Sequence, residues 1–158
     1  MTEEPIFIDS SIFLAFFMEN RDFIEKLKGD LKTSVNVIEE VAYILIKEVA
    51  KEVTGIEKHY ELLNYLKEND KIVKRISKEV FKDICSLLEH YRVDVLSPAP
   101  FILMFEISEE YGLLPNDALI AATCKYYSIK KIATFDDDFR RVDFLEVIDL
   151  KDGGKEKL

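Results

Sequence analysis

Histidine is nearly missing from this chain: of 158 residues only His59 and His90 are histidine, and they build neither a catalytic triad nor an H-E-x-x-H zinc motif. Ordinary surface roles are expected for both. Cysteine is as scarce. Cys85 and Cys124 stand far apart with no C-x-x-C pair, which excludes a cysteine zinc site and leaves free buried thiols as the expectation. Five glycines are too few for a phosphate-cradling loop, and neither G-x-x-x-x-G-K-[ST] nor G-x-G-x-x-G occurs. No stretch nears the roughly 18 consecutive apolar residues that a membrane span needs. The apolar opening Ile6-Phe7-Ile8 stops at Asp9 without a basic segment before it. A signal peptide is therefore not expected, and cytoplasm, with no membrane partner, is the default compartment. Positive charge is also short. Lys and Arg number 22 against 31 Asp and Glu, a formal net charge of −9. So acidic a chain meets a polyanion only through a local basic patch, metal ions or a protein partner.

What is present fits one folded domain: 48% of residues are hydrophobic and 34% charged, with no repeat and no Gly/Ser linker. Five short runs read as strands, at 6–8, 31–34, 93–96, 131–134 and 146–150. Helical patterns lie between them, at about 11–28, 37–53, 56–68, 71–90, 100–111 and 116–127. Strands alternating with helices predict an α/β fold with a central, mostly parallel five-stranded sheet and helices on both faces. The stretch 47–90 is expected to insert extra helices between the second and third strands, with breaks at Thr54-Gly55 and Glu68-Asn69-Asp70. Pro100 suits a first helical turn, and Pro115 introduces a helix with Asn116 as its expected N-cap. The domain spans 1–150, and 151–158 is expected to be a short flexible tail.

Acidic residues gather at the strand ends. Asp9 closes the first strand, and in open α/β sheets ligands bind outside the carboxyl ends of strands. Glu39 and Glu40 open the helix after the second strand. Ile38, Val41, Ala42, Leu45 and Val49 form an apolar stripe there. At about 100° per residue, Glu39 borders this stripe and Glu40 lies nearly opposite, so Glu39 is the expected ligand. Asp117 sits in the first turn of the Ala-rich helix Asn116-Asp117-Ala118-Leu119-Ile120-Ala121-Ala122. Asp136 follows the strand end Lys131–Thr134 and begins three consecutive aspartates, whose repulsion a cation would relieve. Each acid alone has a plainer role, as a helix cap, a dipole partner or a solvated turn. Together they are expected on one rim of the sheet. Such an oxygen-only set suits Mg²⁺ or Mn²⁺ rather than zinc.

The order I-D-S-S-I, S-x-x-x-x-E, N-D-A-L-I-A-A and T-F-D-x-D-F resembles the PIN-domain family, including VapC-type toxins, from Ile6 to about Leu150. The resemblance implies a metal-dependent endoribonuclease for single-stranded RNA, with one or two Mg²⁺ or Mn²⁺ ions. Asp9, Glu39, Asp117 and Asp136 would form the catalytic and metal-binding set. It makes Asp138 an accessory acid and Ser10 and Thr134 ligand-orienting residues. A VapC-type toxin implies a protein antitoxin as partner. Phe16, Phe17 and Phe101 suit an antitoxin groove or a homodimer contact, and suit core packing equally well. The competing class is a catalytically silent PIN module that binds RNA or protein; the presence of all four acids weighs against it. The lack of usable histidine disfavours attack by the RNA 2′-hydroxyl, so products with 5′-phosphate and 3′-hydroxyl ends are expected. Asp9 has no second Asp two residues on and no acidic neighbour, which argues against a haloacid-dehalogenase phosphatase and a receiver domain. Lys71, Lys74, Arg75 and Lys78 recur on one helical face. They suit phosphate tracking, although a solvated face is the simpler reading.

Overall fold

The computed structural model describes residues 3–150 and 155–156. In chain order it contains β1 (Pro5–Ile8), α1 (Ser10–Met18), β2 (Arg21–Asp22), β3 (Asp30–Ser34), α2 (Val35–Thr54), α3 (His59–Glu68) and α4 (Asp70–His90). Then come β4 (Asp94–Leu96), α5 (Phe101–Tyr111), α6 (Pro115–Tyr126), β5 (Lys131–Ala133), β6 (Glu146–Val147) and β7 (Lys155–Glu156). Five strands form one parallel sheet in the order β4-β3-β1-β5-β6, as the strand–helix alternation predicts. The central strand β1 buries Ile6, Phe7 and Ile8, the continuous apolar run expected of a parallel strand covered on both faces. From β1 the chain builds outward on one side through β3 and β4, then crosses to the other side of β1 for β5 and β6. The carboxyl ends of all three strands therefore open on one rim, at a switch point of the topology.

The three inserted helices between β3 and β4 form as expected. Gly55, at φ +74°, ends α2 in the left-handed region that glycine enters without steric cost. On α4, Ile76, Val80, Ile84 and Leu87 supply the buried face. The helix packs against α2 and α3, while α5 packs on α6. No helix among the described residues is long and apolar enough to cross a membrane. Cys124 is buried as expected, but Cys85 is exposed on α4.

One helix boundary differs from the expectation. The helix predicted over 11–28 stops at Met18. Asn20 takes φ +56°, a conformation Asn tolerates better than most residues. The Asp22 carboxylate then accepts the backbone N–H groups of Ile24 at 2.9 Å and Glu25 at 3.1 Å, folding Ile24–Lys26 into a 3₁₀ turn. Phe23 and Ile24 still reach the core, so their apolar spacing mimics a longer helix. Within the stretch expected as a tail, Lys155–Glu156 pairs antiparallel with β2, in a register that sets Arg21 across from Glu156 and Asp22 across from Lys155. Residues 151–154 and 157–158 of the same expected tail lie outside the described residues.

Asp22 also accepts the Tyr91 hydroxyl, which joins the end of α4 to this turn. Asp22→Ala should thus cost a cap of about 1 kcal/mol and leave the Tyr91 hydroxyl without its acceptor, about 1–3 kcal/mol more. Thermal denaturation should show a fall of roughly 5–15 °C, partly recovered in Asp22→Asn.

Candidate active site

Asp9 leaves β1 at the rim, where its backbone N–H continues the ladder to the Ala133 carbonyl at 3.0 Å. It is 5% exposed. Its carboxylate does not cap α1. Hydroxyls hold it instead: Thr134 donates at 2.7 Å, Ser11 at 3.3 Å and Ser10 at 3.4 Å. Thr134 and Ser10, the residues expected to orient ligands, thus both touch the Asp9 carboxylate, with Thr134 making the shorter contact. Sequence reasoning misses Ser11, which does more than Ser10. Its oxygen also accepts the Phe135 N–H at 3.1 Å, linking α1 to the end of β5. Burial pushes the Asp9 carboxyl above its ordinary value. The bonds from Thr134, the Ser10 backbone and Ser11 pull it down, and the charge of Asp136 pushes it up again.

Asp117 enters from the first turn of α6, and Asp136 from the turn after β5. One carboxylate oxygen from each, and one from Asp138, lie within 4.8 Å of one another. Oxygens about 2.0–2.4 Å from a shared Mg²⁺ or Ca²⁺-sized ion stand no more than about 4–5 Å apart, so the three acids fit one hard cation. The Asp117 carboxyl is pushed up to about 6, first by burial and then by the charges of Asp136, Asp9, Asp138 and Glu40. Five carboxylates thus share one field.

The triple-aspartate run is divided by its partners. Asp137 pairs with Arg140 at 3.1 Å, and Asp138 with Arg141 at 2.8 Å. Arg141 also donates to the Gly112 carbonyl at 2.9 Å, fastening this turn to the end of α5. Asp136 accepts the Asp138 backbone N–H at 2.9 Å, and its own N–H donates to Thr134. Arginine relieves part of the repulsion for which a cation was expected, but Asp136 and Asp117 keep theirs.

Glu39 is the site residue that the structure does not bring in. It is exposed, whereas Glu40 is half-buried and is the glutamate whose charge acts on Asp117. The stripe that favours Glu39 omits Val37, which is fully buried, and includes Val49, which is exposed. With Val37 in and Val49 out, both glutamates lie about 130° from the stripe's centre, on opposite margins. The wheel then separates nothing, and the margin facing α6 decides. On that margin Asn116 donates to the Glu40 carboxylate at 3.3 Å, and Asn36 donates to the Asn116 carbonyl oxygen at 3.0 Å. Asn116 is free to do so because it is not the N-cap: Leu114 is, and Pro115 takes the first helical turn, where its fixed φ fits. His59 and His90 lie on α3 and at the end of α4, and neither joins the group of acids that meet.

The sequence pattern of the PIN domain family matches residues 6–145. The chain belongs to the PIN domain family. Two relatives of this PIN domain come from Methanocaldococcus jannaschii. Ribonuclease VapC2 is 35% identical, over 95% of this chain and 97% of its own length. Ribonuclease VapC6 is 34% identical, over 94% and 99%. Among solved structures, VapBC2 from Rickettsia felis, bound to a DNA fragment from its promoter, matches with a TM-score of 0.57 at 16% identity, over 91% of this chain and 97% of that one. PAE2754 from Pyrobaculum aerophilum gives 0.53 at 17% identity, over 91% and 89%. At these identities the structures speak for the PIN fold alone.

Proposed function

We propose that this PIN domain is a metal-dependent endoribonuclease of the VapC type, cutting single-stranded RNA in the cytoplasm as the toxin of a toxin–antitoxin pair. The observation that carries the reading is the meeting of Asp117, Asp136 and Asp138 within 4.8 Å, on the rim that also bears Asp9. The names of the two Methanocaldococcus relatives, both VapC ribonucleases, support ribonucleolysis, and the antitoxin partner follows from the VapC type.

Asp117, Asp136 and Asp138 would hold Mg²⁺ or Mn²⁺, with Asp9 and Glu40 completing the negative field. When bound, such an ion supplies Lewis acidity, acidifying water for attack and offsetting charge that develops on the phosphate. The chain's own residues do the rest. Thr134, Ser11 and Ser10 fix both Asp9 oxygens. Asn116 holds Glu40 beside Asp117. Arg141 keeps Asp138 at the edge of the group. No histidine is at hand to activate a 2′-hydroxyl, so water is the nucleophile and products should carry 5′-phosphate and 3′-hydroxyl ends.

Incubation of the protein with a mixed RNA pool and Mn²⁺ tests this. Cleavage should stop on addition of EDTA and be lost in Asp9→Asn, which removes a charge from the field that draws the cation to the rim. Cleavage that survives both would overturn the reading.

A further inference from the structure

Basic residues are the minority in this chain, and six of those described pair with acids. Lys32, Lys51, Lys74, Lys131, Arg140 and Arg141 all make ion pairs. Those without an ion pair gather most densely on the outer face of α4. Lys71, Lys74, Arg75, Lys78 and Lys82 are all on that helix, away from its apolar stripe. At about 100° per residue they fall within an arc of about 100°, diametrically opposite the buried Ile76, Val80, Ile84 and Leu87. Only Lys74 has an acidic partner, Asp70 at 3.4 Å. Lys71, Arg75, Lys78 and Lys82 make no ion pair among the described residues. Glu79 and Asp83 fall to one flank of the stripe, and Glu89 closes it about two turns beyond Lys82.

A solvated helix face needs charge but not charge of one sign. With 31 acidic residues against 22 basic ones, random placement would intersperse acids along it. Four unpaired cations in register instead keep a positive ridge on an acidic molecule, the footprint of a polyanion. The helix itself lies near the site: its apolar face packs along α2, whose first turns carry Asn36 and Glu40 at the acidic rim.

We propose that the outer face of α4 from Lys71 to Lys82 is a phosphate track for the single-stranded RNA whose scissile bond lies at the acidic rim. This rests on the ribonuclease reading above and adds the surface that lets a chain of charge −9 hold its substrate. The track reads backbone rather than bases, so it adds affinity for long RNA and no sequence preference.

The test compares wild type with the combined variant Lys71→Gln, Arg75→Gln, Lys78→Gln, Lys82→Gln. Binding of a labelled single-stranded RNA of about 20–30 nucleotides is followed in EDTA across a salt series. Neutralising four phosphate contacts should flatten the slope of log K against log salt by about 2–3 and weaken binding at least ten-fold near 0.1 M salt. The same variant should raise KM for the long RNA with kcat unchanged, and should cut a four-nucleotide RNA like wild type. Lys71→Arg, Lys78→Arg, Lys82→Arg, which keeps the charge, should keep the slope. Cleavage measured in parallel with Mn²⁺ separates the two readings. A wild type that cuts RNA with the same slope as the neutralised variant overturns the track alone, and a wild type that cuts no RNA overturns the function and the track together. Polyglutamate that displaces RNA from wild type at equal charge concentration would overturn it in favour of an acidic protein partner.

Discussion

Asp117→Asn is expected to abolish RNA cleavage and, in EDTA, to melt at a higher temperature than wild type. Both outcomes follow from the same crowding. Asp117 is held at about 6 by burial and by Asp136, Asp9, Asp138 and Glu40. A carboxyl whose folded value is raised makes the folded state bind protons more tightly than the unfolded one, so its charge destabilises the fold above that value. The difference from an ordinary Asp corresponds to about 3 kcal/mol before screening; for a half-exposed group about 1–2 kcal/mol is realistic. Removing the charge should therefore raise the melting temperature by about 2–8 °C at pH 7.5. Below about pH 4 the carboxyl is protonated in both states and this penalty vanishes, so wild type and variant should draw together as the pH falls from about 7 to about 4. Added Mn²⁺ binds only the folded site and stabilises wild type by mass action, while a variant that has lost a ligand gains far less. The melting curves should converge or cross as metal is added. Parallel gains would mean that Asp117 belongs to no metal site.

The second large effect separates the adjacent glutamates. Glu40→Gln should lose most RNA cleavage, because it removes a charge from the field on Asp117 and weakens the acceptor that Asn116 holds. Glu39→Gln should keep near wild-type activity, since its side chain is exposed and outside that field. Cleavage rates at saturating Mn²⁺ decide between them. Loss in Glu39→Gln with a healthy Glu40→Gln would restore the helical-wheel assignment.

These glutamates also mark where sequence reading reaches its limit. Asp9 and Asp136 are legible because each follows a short apolar strand, and strand ends share a rim once the sheet is parallel. Asp117 is legible because Pro115 fixes a helix start and the alanines after it let α6 lie close to the sheet. Choosing Glu40 over Glu39 requires knowing which margin of α2 faces α6, a tertiary fact that no periodicity contains. Ser11 escapes for a related reason: its partner Thr134 lies 123 positions away and meets it only across β1 and β5. The end of α1 is misjudged because Phe23 and Ile24 keep helical spacing while the Asp22 turn redirects the backbone. Docking of Lys155–Glu156 on β2 is hidden because two-residue strands leave no pattern.

Mn²⁺ binding and RNA cleavage, measured over one titration of the same protein, test the central claim most directly. Calorimetry should show Mn²⁺ binding that is weakened in Asp117→Asn, and the cleavage rate of wild type should rise from zero in EDTA to a plateau along the same curve. Full-rate cleavage in EDTA, or saturated Mn²⁺ binding with no RNA cut, would contradict it.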